Sequence, residues 1–285
     1  MNLLYFVLVI TCTMFFMHPA CLCISMAGAI AYAVCLKGRK ELLRSFGFLL
    51  PVTLLAAVLN PMFSHEGITV LAYLPSGNPL TLESIAYGAA AAVMLAAVLL
   101  WFSCLSTVLT SDKLIFLFGR IFPALSLLLS MTLRFVPRFL RQFHAVAEAQ
   151  RGLGRDVSKG PLLRRLRTAV TILSIVVTWA LESSVETADS MKSRGYGLPG
   201  RTAFALYRWA GRDTLALAWL ALCGTFLVIG AAAGGLRWRY YPTIRGGEMT
   251  CLGAACRMVY LLLCTTPVLL NRKEAERWKR SNCEM

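Results

Sequence analysis

SIAYGAAAAVMLAAVLLWFSCLSTVLTS, from Ser84 to Ser111, runs for 28 residues without an Asp, Glu, Lys or Arg. A bilayer core about 30 Å thick needs roughly 20 predominantly apolar residues in a helix, so this stretch spans with room to tilt. The rest of the chain shares the bias. Of 285 residues, 58% are hydrophobic and 15% charged, with a mean hydropathy of +0.65. A soluble domain carries about 25% charged residues, so the sequence reads as an all-α integral membrane protein. The ten cysteines form no CxxC pair and sit at no metal-ligand spacing. That argues against a disulfide scaffold, a zinc site or an iron–sulfur site and leaves them as small buried hydrophobes.

Other apolar stretches flank this one. Met1 to Leu36 is uncharged, and His18-Pro19 in its middle reads as a turn between two short helices. Ser45 to His65 is uncharged and closes at Asn60-Pro61. Thr214 to Leu236 is uncharged for 23 residues, and Met249 to Asn271 carries only Arg257, placed to snorkel. About six helices are expected. Lys37, Arg39, Lys40 and Arg44 place a cytoplasmic loop, while Pro61 to Glu83, with two acids and no Lys or Arg, faces outward. Both termini then fall inside, as the five basic residues after Asn271 also indicate. Arg237, Arg239 and Arg245 in an outer loop run against this rule. No positive n-region precedes the first apolar run, so internal targeting to the cell membrane is expected rather than a cleaved signal.

The net charge of +15 is unevenly placed: residues 111–212 hold 16 Lys or Arg against 6 Asp or Glu. In a soluble chain this would suggest nucleic acid, but between spans it reads as a basic cytoplasmic block, and no nucleic-acid partner is expected. Three regions follow, with membrane helices in 1–110 and 213–285 and an aqueous or interfacial helical arm in 111–212. Arg outnumbers Lys by 22 to 7, a bias toward the planar fork that pairs with carboxylates and phosphates. Two pieces of the block, Ile121 to Leu133 and Thr168 to Leu181, are 13 and 14 uncharged residues long. Stretches of that length are expected to lie at the inner leaflet.

Beyond them one helix is expected from about Arg138 to Gln150, with Phe139, Leu140, Phe143, Val146 and Ala147 on one stripe. A second runs from about Pro161 to Ser193, roughly 48 Å at 1.5 Å per residue, with Leu162, Leu163, Leu166, Ala169, Val170, Leu173, Val176, Val177 and Ala180 on one broad side. They end alike, at Arg151-Gly152-Leu153-Gly154 and Arg194-Gly195-Tyr196-Gly197. With 22 Arg and 21 Gly in the chain, RGxG is expected by chance about 0.1 times. Glycine just past a helix adopts the left-handed conformation that satisfies terminal carbonyls, and Arg suits the negative helix end. Two readings stay open: plain caps, or two arginines presented to acidic grooves on two matched partners.

Familiar catalytic patterns are missing. No G-x-x-x-x-G-K-[ST], GxSxG or HExxH occurs and no GxGxxG dinucleotide site is expected, so the chain carries no P-loop of its own. His18, His65 and His144 stand alone and read as non-ligands, and no metal or cofactor is expected. Glu182, Glu186 and Asp189 line the second arm helix. The first two, at i and i+4, repel each other and seek Arg or Lys on a crossing helix or a partner.

Three stretches together resemble a known family: Ser111-Asp112-Lys113-Leu114, Leu133 to Phe139 (LRFVPRF), and Glu186 to Gly197 (ETADSMKSRGYG). They resemble the transmembrane T component of energy-coupling factor (ECF) transporters, the CbiQ-like family. In that family the signatures read Ala-Arg-Gly and the helices carrying them couple to two ATP-binding cassette subunits. The resemblance implies that Arg151 with Gly152 and Arg194 with Gly195 are the contact points. Gln150 and Ser193 stand where the family has Ala, with Glu186 and Asp189 supporting the second helix. It further implies a subunit without chemistry of its own, transmitting ATP-driven motion of two cytoplasmic ATPases to a substrate-binding membrane subunit (S component) for vitamin or trace-metal uptake. The apolar flank at 168–181 would seat that subunit. Two alternatives stay open: an inner-leaflet enzyme using Glu182, Glu186, Asp189 and the arginines on a lipid phosphate, and a permease with its own path. Charges within spans would mark the latter and are essentially absent.

Overall fold

A computed structural model describes residues 1–64, 66–73, 79–110, 113, 117, 123–156, 161–198, 211–246 and 250–283. In chain order the elements are α1 (Asn2–Phe15), α2 (Pro19–Phe63), β1 (Val70–Tyr73), β2 (Pro79–Thr81), α3 (Leu82–Val108), α4 (Pro123–Gly152), α5 (Leu162–Ser193), α6 (Gly211–Ala232), β3 (Trp238–Arg239), β4 (Arg245–Gly246) and α7 (Cys251–Cys283). The protein is an all-α integral membrane protein, with only two short hairpins beside its helices. The chain separates into two compact units, Met1–Thr110 with Trp209–Met285, and Ser111–Arg208.

In the first unit, the His18-Pro19 turn is where the sequence places it. His18 caps α2, its Nδ1 accepting from the Ala20 N–H at 3.2 Å, and Pro19 fills the first helical position. The basic stretch after Leu36 is not a loop. α2 continues through it for 45 residues, interrupted at Gly38 alone, where φ is +77° and ψ 166°. Glycine reaches that conformation freely, and the helix resumes at once through the polar Arg39, Lys40 and Glu41. Nor does Asn60-Pro61 end the helix, which runs on to Phe63. α3 starts one turn's edge before Ser84: the Thr81 hydroxyl accepts from the Ser84 N–H at 3.3 Å, and Glu83 lies in the first turn, where the helix dipole favours an anion. The connections after α2 and after α6 form hairpins, β1 with β2 and β3 with β4.

By length and composition α2, α3, α5, α6 and the Cys251–Arg272 part of α7 can each cross a bilayer. α1, at 14 residues or about 21 Å, is shorter than the hydrocarbon core. Helices in lipid gain little from burying apolar surface and associate through close packing and interhelical hydrogen bonds. Both are present. Trp101 and Tyr260 are fully buried, and the Trp101 ring has Tyr5, Phe6 and Tyr32 around it at centroid distances of 6.0–6.2 Å. A polar thread ties four helices. The Trp101 indole N–H donates to Ser25 Oγ at 3.1 Å, Ser25 Oγ lies 2.8 Å from Thr13 Oγ1, and Thr13 Oγ1 lies 2.9 Å from the Tyr260 hydroxyl. Tyr5 closes it by donating to the Leu263 carbonyl at 3.1 Å. Cys12, Cys21, Cys104, Cys223, Cys256 and Cys264 are buried in this unit as small apolar fillers.

The described part of the second unit is a packed pair of helices, α4 and α5. Here the reading of the first arm as two pieces fails: residues 123–152 form one 30-residue helix that carries Pro137 inside it, so the apolar stretch before Arg134 and the amphipathic stretch after it are continuous. α5 begins and ends where expected, but it is more apolar than an interfacial helix requires. Its most apolar 18 residues average 1.6 in hydropathy, enough to cross by composition. Stopping the count at Glu182 hides this, because Ser183, Ser184 and Val185 beyond it are again uncharged.

Candidate functional site

The α4–α5 seam is set by periodicity. On α5, Thr168, Ile172, Val176 and Ser183 are buried, one turn or two apart. On α4, Met131, Phe135, Phe139, Gln142 and Val146 are half-buried at the matching spacing. The single stripe expected on the first arm therefore divides: Phe139 and Val146 are partly covered, whereas Leu140 and Phe143 are exposed. Trp179 pins the seam. Its ring meets Phe139 edge-on at 5.9 Å, and the Arg138 guanidinium lies over it at 5.1 Å. Within the unit α5 leaves a second, apolar stripe uncovered: Leu163, Leu166, Val170, Leu173 and Val177 are all 48–82% exposed.

Both helices end in the same hydrogen-bonded device. At the first, the Arg155 N–H donates to the Gln150 carbonyl and the Gly154 N–H to the Arg151 carbonyl, both at 3.0 Å, with Gly154 at φ +74°. At the second, the Tyr196 N–H donates to the Met191 carbonyl and the Gly195 N–H to the Lys192 carbonyl, again at 3.0 Å, with Gly195 at φ +78°. Each is a Schellman closure, with one 6→1 and one inner bond over a left-handed glycine. Yet the two RGxG copies sit in it differently. In the first copy only the second glycine, Gly154, has a positive φ, whereas in the second both do, with Gly195 at the closure and Gly197 beyond it at φ +96°. Gly152, expected to be a cap, is the last residue of α4, has no positive φ, and a Cβ placed on it would meet nothing within 4 Å.

The side chains follow the same division. Arg151, 69% exposed, makes a 3.4 Å ion pair with Asp156, of a kind worth at most about 1 kcal/mol. Arg194 is exposed and makes no ion pair among the described residues. Gln150 has a buried Oε1 without a hydrogen-bond partner among them. Ser193 turns its hydroxyl back to the Ser190 carbonyl at 2.9 Å. Glu182, Glu186 and Asp189 are exposed on α5 and pair with no Arg or Lys among the described residues, so the crossing helix does not supply the cations expected of it. No cluster of three metal-ligating side chains occurs among them either. His18 is a helix cap, His144 is exposed on α4, and His65 lies outside the described residues, as do Ser111, Asp112 and Leu114 of the first matched stretch.

Sequence reasoning passed over three features here: Gly154 as the true first cap, the Arg138–Trp179 contact, and a third glycine in the second terminus. Gly195, Gly197 and Gly200 spell G-x-G-x-x-G. That fingerprint binds dinucleotides only between a strand and a helix, and here it follows a helix.

Comparison with known proteins agrees with the Arg-Gly resemblance. The family model CbiQ, described as cobalt transport protein, matches residues 2–204, which is 203 of 285 residues. The energy-coupling factor transporter transmembrane protein EcfT of Lactobacillus helveticus is 33% identical over 106 residues, 37% of this chain and 38% of that protein. EcfT of Exiguobacterium sibiricum is 34% identical over 105 residues, covering 36% and 40%, and EcfT of Bacillus subtilis 32% over 104, covering 36% and 39%. The matched stretch thus spans about two-fifths of each relative's length. On the extent of the family match, joined to a helical membrane fold and two Arg-Gly helix ends, the chain belongs to the CbiQ family.

Proposed function

We propose that this chain is the transmembrane coupling component of an ECF-type importer, carrying motion from two cytoplasmic ATP-binding cassette subunits to a substrate-binding membrane subunit that takes up a vitamin or trace metal. The observation that carries this reading is the pair of α4 and α5 termini: two Schellman closures, each presenting an exposed arginine beside a glycine. A guanidinium is held in a bidentate socket by acidic groups, and two matched ends suit two matched sockets. At 32 residues, roughly 48 Å, α5 is long enough to carry a displacement, and its uncovered Leu166, Val170, Leu173 and Val177 offer an apolar seat to the substrate-binding subunit. On this reading the chain lies in the cell membrane with both termini and the helix pair on the cytoplasmic side, and it turns over no substrate itself. The relatives' name supports the assignment.

Co-purification tests it. The detergent-solubilised chain is drawn from its own membranes as wild type, Arg151→Glu, Arg194→Glu and the double variant. Reversing charge at a desolvated anchor costs about 2–5 kcal/mol, so ATPase subunits should accompany wild type, decline in each single variant and vanish in the double. If no ATPase accompanies wild type, the coupling reading is wrong.

A further inference from the structure

Within the first unit, where the second limb of α2 faces α3, there is a cavity of about 390 Å³, inside the range of small-molecule sites. Phe48 and Leu49 of α2 and Leu99 and Leu100 of α3 supply its apolar wall. Its polar end is built from Arg44, Ser45 and Ser103. Lys37, seven residues before Arg44, donates from Nζ to Ser103 Oγ at 2.6 Å, which brings a second cation beside the same wall. Among the described residues no carboxylate lies within ion-pairing distance of Lys37 or Arg44. The interruption at Gly38 lies between these two cations, so each belongs to a different limb of α2.

A general preference for basic residues on one side of a membrane explains the charge. It does not explain a cavity whose polar end holds Arg44 and two hydroxyls, with Lys37 bonded to one of those hydroxyls, and whose other end is hydrocarbon. Such a site matches an amphiphile with a single anionic head. We propose that it binds one anionic phospholipid from the leaflet bordering the basic segment, its phosphate between Arg44 and Lys37 and an acyl chain along Phe48, Leu49 and Leu99. The bound lipid would brace the Gly38 joint of α2, since it touches both limbs and α3.

Native mass spectrometry of the delipidated full chain in detergent tests this, because only the compact, folded charge states are counted. The probes are palmitoyl-oleoyl phosphatidylglycerol, phosphatidylcholine with the same acyl chains, and sn-glycerol 3-phosphate. One phosphatidylglycerol should be retained in preference to phosphatidylcholine. A cation near an anionic lipid surface is worth about fivefold in affinity, so Arg44→Gln and Lys37→Gln should each weaken phosphatidylglycerol by about that factor and leave phosphatidylcholine unchanged. Arg44→Lys should retain binding, and Arg39→Gln, an exposed cation outside the cavity wall, should not alter it. Equal retention of the two lipids, or an Arg39→Gln loss equal to that of Arg44→Gln, overturns the proposal in favour of diffuse surface attraction. Displacement of the lipid by glycerol 3-phosphate at matched concentration overturns it in favour of a free-phosphate site.

Discussion

Gly152→Ala separates a cap from a contact. Gly152 is helical, has no positive φ, and its Cβ direction is open for 4 Å. An alanine there relieves the entropic cost of glycine in a helix, so the isolated chain should be unchanged or more stable by up to about 1 kcal/mol. Gly154→Ala and Gly195→Ala face the opposite situation. At φ +74° and +78° an alanine is forced into the left-handed region, costing about 1–2 kcal/mol each. At Gly195 the added Cβ would also come within 3.1 Å of Leu198 Cδ1. Thermal unfolding of the detergent-solubilised variants should therefore rank Gly152→Ala at or above wild type and both cap variants below it. Co-purification of ATPase subunits is measured on the same samples. If Gly152 is bare because a partner's surface approaches the helix end, the alanine variant keeps its melting temperature and loses the ATPases. Should Gly152→Ala instead melt as early as Gly154→Ala, the division of the first terminus into a contact glycine and a cap glycine is refuted. A stable Gly152→Ala variant that binds ATPases like wild type leaves Arg151 alone to carry the first contact.

Two further outcomes concern the scaffold. Ser25→Ala removes the acceptor for the buried Trp101 indole N–H and a partner of Thr13, and it should cost about 1–2 kcal/mol in thermal unfolding, more than Tyr260→Phe, after which Thr13 still bonds Ser25 and the Val9 carbonyl. Trp179→Leu deletes the ring that Phe139 and Arg138 share; limited proteolysis should then nick the α4–α5 pair faster, consistent with a loss of about 1–2 kcal/mol, while unfolding of the first unit stays in place.

Much of the fold was legible in the residues. Uncharged runs of 20 or more, punctuated by His18-Pro19 and by acidic or basic connections, suffice to name a helical membrane protein, because lipid forbids unsatisfied backbone and charge alike. Local punctuation is not decisive. Lys37 to Arg44 looked like a loop, yet only Gly38 departs from helix; Arg134 and Pro137 looked like a boundary, yet α4 passes through both. Charges and a lone proline lower helix stability without ending a helix that neighbours support.

The helix ends divide the two sources of information most clearly. That α4 and α5 close on Arg and Gly, and that the copies match, is written in residues 151–154 and 194–197. Which glycine turns left-handed is not, since Gly152 and Gly154 are equally able to do so, and the choice depends on where the last helical carbonyls fall. Likewise the threonine, serine, tyrosine and tryptophan of the buried thread lie at positions 13, 25, 260 and 101, far apart in the chain. Sequence alone determined the solvent this protein lives in, because composition is a sum over residues. Tertiary structure decided which polar groups satisfy one another and where the Lys37–Arg44 cavity opens, because those are properties of pairs brought together from different helices.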